Sequence, residues 1–116
     1  MQKKLDTPVL LIAFNRPELT SQALLQIRKV KPDKLYFAVD GPRNTSDLAN
    51  INQVKELVSK IDWPCKIKTN FQKHNLGCQM GPVTAITWFF KHELSGIILE
   101  DDILPHPSFF YFCQQL

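Results

Sequence analysis

The chain has 116 residues, 44% hydrophobic and 22% charged, with a formal net charge of +3. This is the material of about one globular domain with a core of its own, not of a disordered or fibrous chain. The lysines are scattered and form no basic block, so the charge reads as solubility and not as nucleic-acid binding. Cys65, Cys78 and Cys113 are odd in number and lack CxxC or metal-ligand spacing, which speaks against a disulfide framework or a zinc site and for a reducing, cytoplasmic setting. The charged start, Met1 to Asp6, has no signal-peptide pattern, and no run approaches the roughly 18–20 apolar residues of a transmembrane segment.

Pro8-Val9-Leu10-Leu11-Ile12-Ala13-Phe14 is a continuous apolar run, as expected of a strand covered on both faces of a parallel sheet. Asn15-Arg16-Pro17-Glu18 predicts a helix start, with Asn15 or Arg16 at the cap, Pro17 in the first turn and Glu18 toward the positive end of the dipole. Leu19, Ala23, Ile27 and Val30 share one helical stripe, which Lys31-Pro32-Asp33 ends. Leu35-Tyr36-Phe37-Ala38-Val39 predicts a second strand, closing at Asp40-Gly41-Pro42.

Thr45-Ser46-Asp47 is placed to cap a second helix, whose Leu48, Ile51, Val54, Val58 and Ile61 recur at helical steps until Trp63-Pro64 breaks it. Residues 65–71 alternate Cys65, Ile67, Thr69 and Phe71 with Lys66, Lys68 and Asn70, a half-exposed pattern that predicts a strand near the sheet edge. Lys73-His74-Asn75-Leu76-Gly77 leads into an apolar helix around Val83, Ile86, Phe90 and Leu94, and Ser95-Gly96 returns the chain to a fourth strand. The alternation of strands and helices predicts an α/β fold, a three-layer α/β/α arrangement with a mostly parallel sheet and right-handed connections.

The fourth strand, Ile97-Ile98-Leu99, runs directly into Glu100-Asp101-Asp102. Adjacent carboxylates repel one another unless a cation joins them, and hard oxygen ligands suit Mg²⁺ or Mn²⁺, especially beside substrate phosphates. The pattern points to a metal-bound phosphate ester or diphosphate; a solvated acidic turn is the plainer alternative.

Ligands of open parallel sheets bind outside the carboxyl ends of the strands. Here those ends carry Asn15 and Arg16, Asp40 and Gly41, Asn70 with His74, Asn75 and Gly77 beyond, and the acidic triplet. Each has an ordinary explanation: Asn15 as a cap, Asp40-Gly41-Pro42 and Asn75-Leu76-Gly77 as turns, His74 as a loop histidine. Together they supply one rim with a cation for phosphate, a carboxylate for a ribose or base, and a metal site. GxGxxG is absent after the first strand and GxxxxGK[ST] is absent throughout, which counts against a dinucleotide-dependent oxidoreductase and a P-loop nucleotidase.

Val9 to Arg16, Val39-Asp40 and Ile98-Leu99-Glu100-Asp101-Asp102-Ile103, followed by Pro107-Ser108-Phe109-Phe110-Tyr111-Phe112, resemble the nucleotide-binding half of GT-A glycosyltransferases. The pattern is similar to that of the N-acetylglucosaminyltransferases that start complex N-glycan branches, and to bacterial nucleotide-diphospho-sugar transferase-like proteins. The resemblance implies a Rossmann-like fold, with Asp102 as the direct metal ligand and with Glu100 and Asp101 facing the ribose or donor sugar. It implies nucleotide contacts from Ala13, Asn15 and Arg16, and Asp40 holding the uracil or ribose. His74 and Gly77 fall in a nucleotide-bordering segment, with a spacing that departs from the family's. Phe109, Phe110 and Phe112 are expected in the core, pinning the acidic loop to a following helix.

The implied activity is transfer of a sugar from a nucleotide-diphosphate sugar, UDP-linked by the same resemblance, to a carbohydrate or lipid-linked acceptor. Mn²⁺ or Mg²⁺ would stabilise charge on the departing diphosphate. An inverting transferase also needs a base on the acceptor side. That residue is expected beyond position 116, so residues 1–116 read as the N-terminal part of a longer glycosyltransferase. A non-catalytic nucleotide or nucleotide-sugar binding module remains an alternative, and a Mg²⁺-dependent phosphotransferase ranks last because Asn15 stands where a nucleophilic aspartate would be wanted.

Overall fold

The computed structural model describes residues 5–103 and 106–115. Four strands, β1 (Val9–Ala13), β2 (Lys34–Val39), β3 (Lys66–Phe71) and β4 (Ile97–Glu100), form one sheet in the order β3-β2-β1-β4. All three pairings are parallel, with Val9 opposite both Leu35 and Ile97, and Lys34 opposite Lys66. The half-exposed 65–71 segment is an edge strand, as its alternation predicts.

Helix α1 (Pro17–Val30) buries Ala23, Leu24, Ile27 and Val30 on the sheet face presented by Val9, Leu11, Leu35, Phe37 and Leu99. Each fully buried side chain of this size contributes about 1.5–3 kcal/mol. Helix α2 (Leu48–Glu56) adds Ile51 and Val54 to the same cluster, and α4 (Pro107–Gln115) adds Phe110. The opposite face carries Leu10, Tyr36 and Ala38 and is covered by α3 (Gly77–Phe90) through Ala85 and Phe89. Helices thus lie on both sides of a parallel sheet, a small Rossmann-like α/β/α sandwich.

Arg16, one of the two expected cap residues, holds the cap position of α1; its side chain makes no cap bond, and its carbonyl accepts the Thr20 hydroxyl at 2.8 Å. Asp47 of the expected Thr45–Asp47 cap holds the cap position of the second helix, while Thr45–Asp47 is itself a 3₁₀ turn capped by Asn44, whose Oδ1 accepts the Ser46 N–H at 3.0 Å. Two local expectations change. The second helix stops at Glu56 and tightens into a 3₁₀ segment, Leu57–Lys60, so Val58 and Ile61 reach the core from outside the α-helix. Helix α3 ends at Phe90, before Leu94, and is turned about its axis from the expected face: Val83 and Phe90 are exposed and Ile86 packs partly buried on the core, while Ala85 and Phe89 are buried. Gly77 to Phe90 contains no charged residue, so no polar face tells solvent from core.

The aromatic run of α4 divides similarly. Phe110 is fully buried, but Phe109 and Phe112 are exposed, which corrects the expectation that all three pack inward. Among the described residues no disulfide joins Cys65, Cys78 or Cys113. Among the described residues no helix is long and apolar enough to cross a membrane.

Candidate functional site

The chain passes outward from β1 through β2 to β3 and then returns to the far side of β1 for β4. The connections on either side of β1 therefore diverge, leaving a crevice at the carboxyl ends of the strands. A cleft of about 680 Å³ occupies this position. Ala13, Asn15, Arg16, Asp40, Gly77, Glu100, Asp101 and Asp102 all line it, so the strand-end residues singled out from the sequence share one cavity. His74 is not among the lining residues: its side chain is exposed, while its backbone packs so closely on Gly41 that a Cβ there would stand 2.5 Å from the His74 carbonyl carbon.

Register places the acidic segment. β4 ends opposite Ile12, and the Asp101 N–H continues the ladder by donating to the Ile12 carbonyl at 3.0 Å. Asp101 is half-buried at this corner, and burial raises its carboxyl pKa, with added repulsion from Asp102 and Glu100. Arg16 and the Phe14 backbone N–H oppose the rise. Glu100 and Asp102 are exposed on either side. Among the described residues no three His, Cys, Asp or Glu side chains form a metal cage. The available donors still suit a hard cation such as Mg²⁺, which is usually held by one or two carboxylates together with substrate phosphates and waters.

Asp40 is engaged within the protein. Its Oδ1 accepts the N–H groups of Gly41 and Leu76, both at 2.8 Å, and its Oδ2 accepts Gly77 N–H and Asn75 Nδ2, both at 3.2 Å. A carboxylate offers about four lone-pair sites, so these bonds occupy its acceptor capacity. Asp40 therefore tethers the start of α3, where backbone N–H groups lack helical partners, and it shapes the cleft wall. Asn15 is likewise turned inward, its Nδ2 donating to Asp47 Oδ1 at 2.9 Å.

That bond leads to a pair not anticipated from the sequence. Asp47 is 3% exposed and also receives three hydrogen bonds from Arg43: the backbone N–H at 2.9 Å, and Nε and Nη2 each at 3.0 Å. Those bonds, those from the Arg43 side chain first, hold the Asp47 carboxyl well below the usual carboxylate range even though burial works the other way. The Arg43 guanidinium lines the cleft and lies over the Phe14 ring, 5.2 Å from its centroid. The available sequence signal was the i, i+4 spacing of Arg43 and Asp47, which a reading of Asp47 as a helix cap conceals. Asn70, Gln72, Cys78 and Gly81 also line the cleft.

No protein-family model, curated protein or solved structure matches this chain.

Proposed function

We propose that this chain is the donor-binding part of a divalent-metal-dependent glycosyltransferase acting on a nucleotide-diphosphate sugar, with UDP as the first candidate nucleotide. The observation that carries the reading is the meeting of Arg16 with Glu100, Asp101 and Asp102 in one cleft at the carboxyl ends of a parallel sheet. A cation beside a group of carboxylates suits a ligand that brings both its own phosphates and a bridging metal.

In this reading Asp102, exposed at the cleft, holds Mn²⁺ or Mg²⁺. When bound, the metal supplies Lewis-acid stabilisation of the diphosphate leaving group. Arg16 contacts the diphosphate, and Glu100 and Asp101 accept hydroxyls of the ribose or donor sugar. Asp40 and Asn15 act as positioning residues, since their polar atoms already hold the α3 start and Asp47. A carbohydrate or lipid-linked acceptor, a base supplied by another segment, and a cytoplasmic setting belong to the same proposal. Calorimetric titration of UDP in the presence of Mn²⁺ and then of EDTA tests it: metal-dependent binding is expected, and a folded chain that binds no UDP in either condition contradicts it.

A further inference from the structure

Asp40 is the residue expected from the sequence to hold the uracil or ribose, yet four internal donors occupy its carboxylate. The cleft contains another group suited to a planar ligand. Arg43 is fixed edge-on by the buried Asp47 through Nε and Nη2, backed by the Phe14 ring, and 59% exposed in its side chain. Asn15 completes the support by donating to Asp47 Oδ1, the oxygen that also accepts Arg43 Nη2.

Resting on the nucleotide reading above, we infer that the base of the bound nucleotide stacks on the guanidinium plane of Arg43, with Asp47 and Asn15 holding that plane in place. Two physical points favour stacking over phosphate binding at this arginine. Its charge is already balanced by a carboxylate in bidentate contact, which weakens its pull on an anion. Its planar, delocalised surface remains suited to stacking on a π-system, a use that lysine cannot reproduce. Phosphate recognition is left to Arg16, which also lines the cleft and interacts electrostatically with Asp101 of the acidic segment. The arrangement assigns base and diphosphate to different arginines.

The test compares UDP with inorganic pyrophosphate, both titrated with Mn²⁺ into wild type, Arg43→Lys and the double variant Arg43→Met/Asp47→Asn. Arg43→Lys retains the charge without the plane, and the double variant avoids leaving Asp47 buried and unpaired; circular dichroism verifies that each is folded. Loss of one stacked base predicts UDP binding weakened by at least about fivefold in both variants, with pyrophosphate binding changed by less than about twofold. Parallel loss of both ligands would make Arg43 a phosphate ligand and overturn the inference, as would unchanged UDP binding. A wild type that binds pyrophosphate as tightly as UDP overturns it as well. A wild type that binds neither ligand removes the nucleotide reading, and the inference with it.

Discussion

The carboxylate of Asp40, just beyond β2, caps the beginning of α3 by accepting the Leu76 N–H at 2.8 Å and the Gly77 N–H at 3.2 Å. Replacing it with alanine removes the acceptor of these two N–H groups, while the Asn75 amide keeps the Gly41 carbonyl at 2.9 Å. Asp40→Ala is expected to lower unfolding free energy by about 1–3 kcal/mol, measured by urea titration. Asp40→Asn retains an acceptor and should lose less. Equal stability of Asp40→Ala and wild type would show that the cap carries no energy.

Asp102 is exposed and lies past the last residue of β4. Asp102→Ala should therefore unfold with wild-type stability to within about 0.5 kcal/mol, while losing the Mn²⁺-dependent part of UDP binding. Calorimetry with and without EDTA separates these effects. A variant that retains the full metal dependence would remove Asp102 from the site.

Arg16 is exposed at the cap position of α1 and donates no side-chain cap bond there. Arg16→Ala should weaken UDP binding more than uridine binding, because its assigned contact is the diphosphate. The difference expected for a charge-assisted hydrogen bond is about tenfold. Equal weakening of both ligands would place the residue at the nucleoside instead.

Two ionisable groups predict opposite pH responses. The Arg43 bonds depress the Asp47 carboxyl in the folded chain, so its stabilising contribution is present above the ordinary carboxylate pKa and is lost as pH falls below it. Asp47→Asn should flatten the acid limb of the stability profile. Burial first, then the hydrogen bond it donates to Glu93, pushes the Tyr36 hydroxyl up from 10.0 to about 12. Folding therefore favours protonated Tyr36, and that contribution fades as pH rises through this interval. Tyr36→Phe should lack the alkaline component, as followed by urea unfolding at a series of pH values.

A Cβ on Gly96 would stand 2.2 Å from Cζ of Phe89 and 3.0 Å from the Pro8 carbonyl oxygen. Phe89 is fully buried between α3, to which it belongs, and the sheet, so the ring has little room to withdraw. Gly96→Ala is expected to destabilise by about 1–3 kcal/mol, read as a lower urea midpoint.

The strands were legible because Val9 to Ala13 and Leu35 to Val39 are uninterrupted apolar runs bounded by turn residues, the pattern demanded by burial on both faces. Strand-end position likewise brought Arg16 and the acidic triplet into one candidate rim. Side-chain partnership was not legible. Asn15 and Asp47 lie 32 positions apart, and their bond depends on how α1 and the 3₁₀ turn pack. The inward face of α3 was equally hidden, because an uncharged helix offers no polar side to mark solvent.

β2 grips α3 at both extremities. Asp40 holds its start, while Lys34 and Tyr36 hold Glu93 just beyond its end, the lysine at 3.4 Å. A helix fastened twice to one strand is a brace, able to transmit force along its length but resistant to swinging about either anchor. In the proposed nucleotide complex, the cleft wall built from its first turns is therefore the side expected to keep its place.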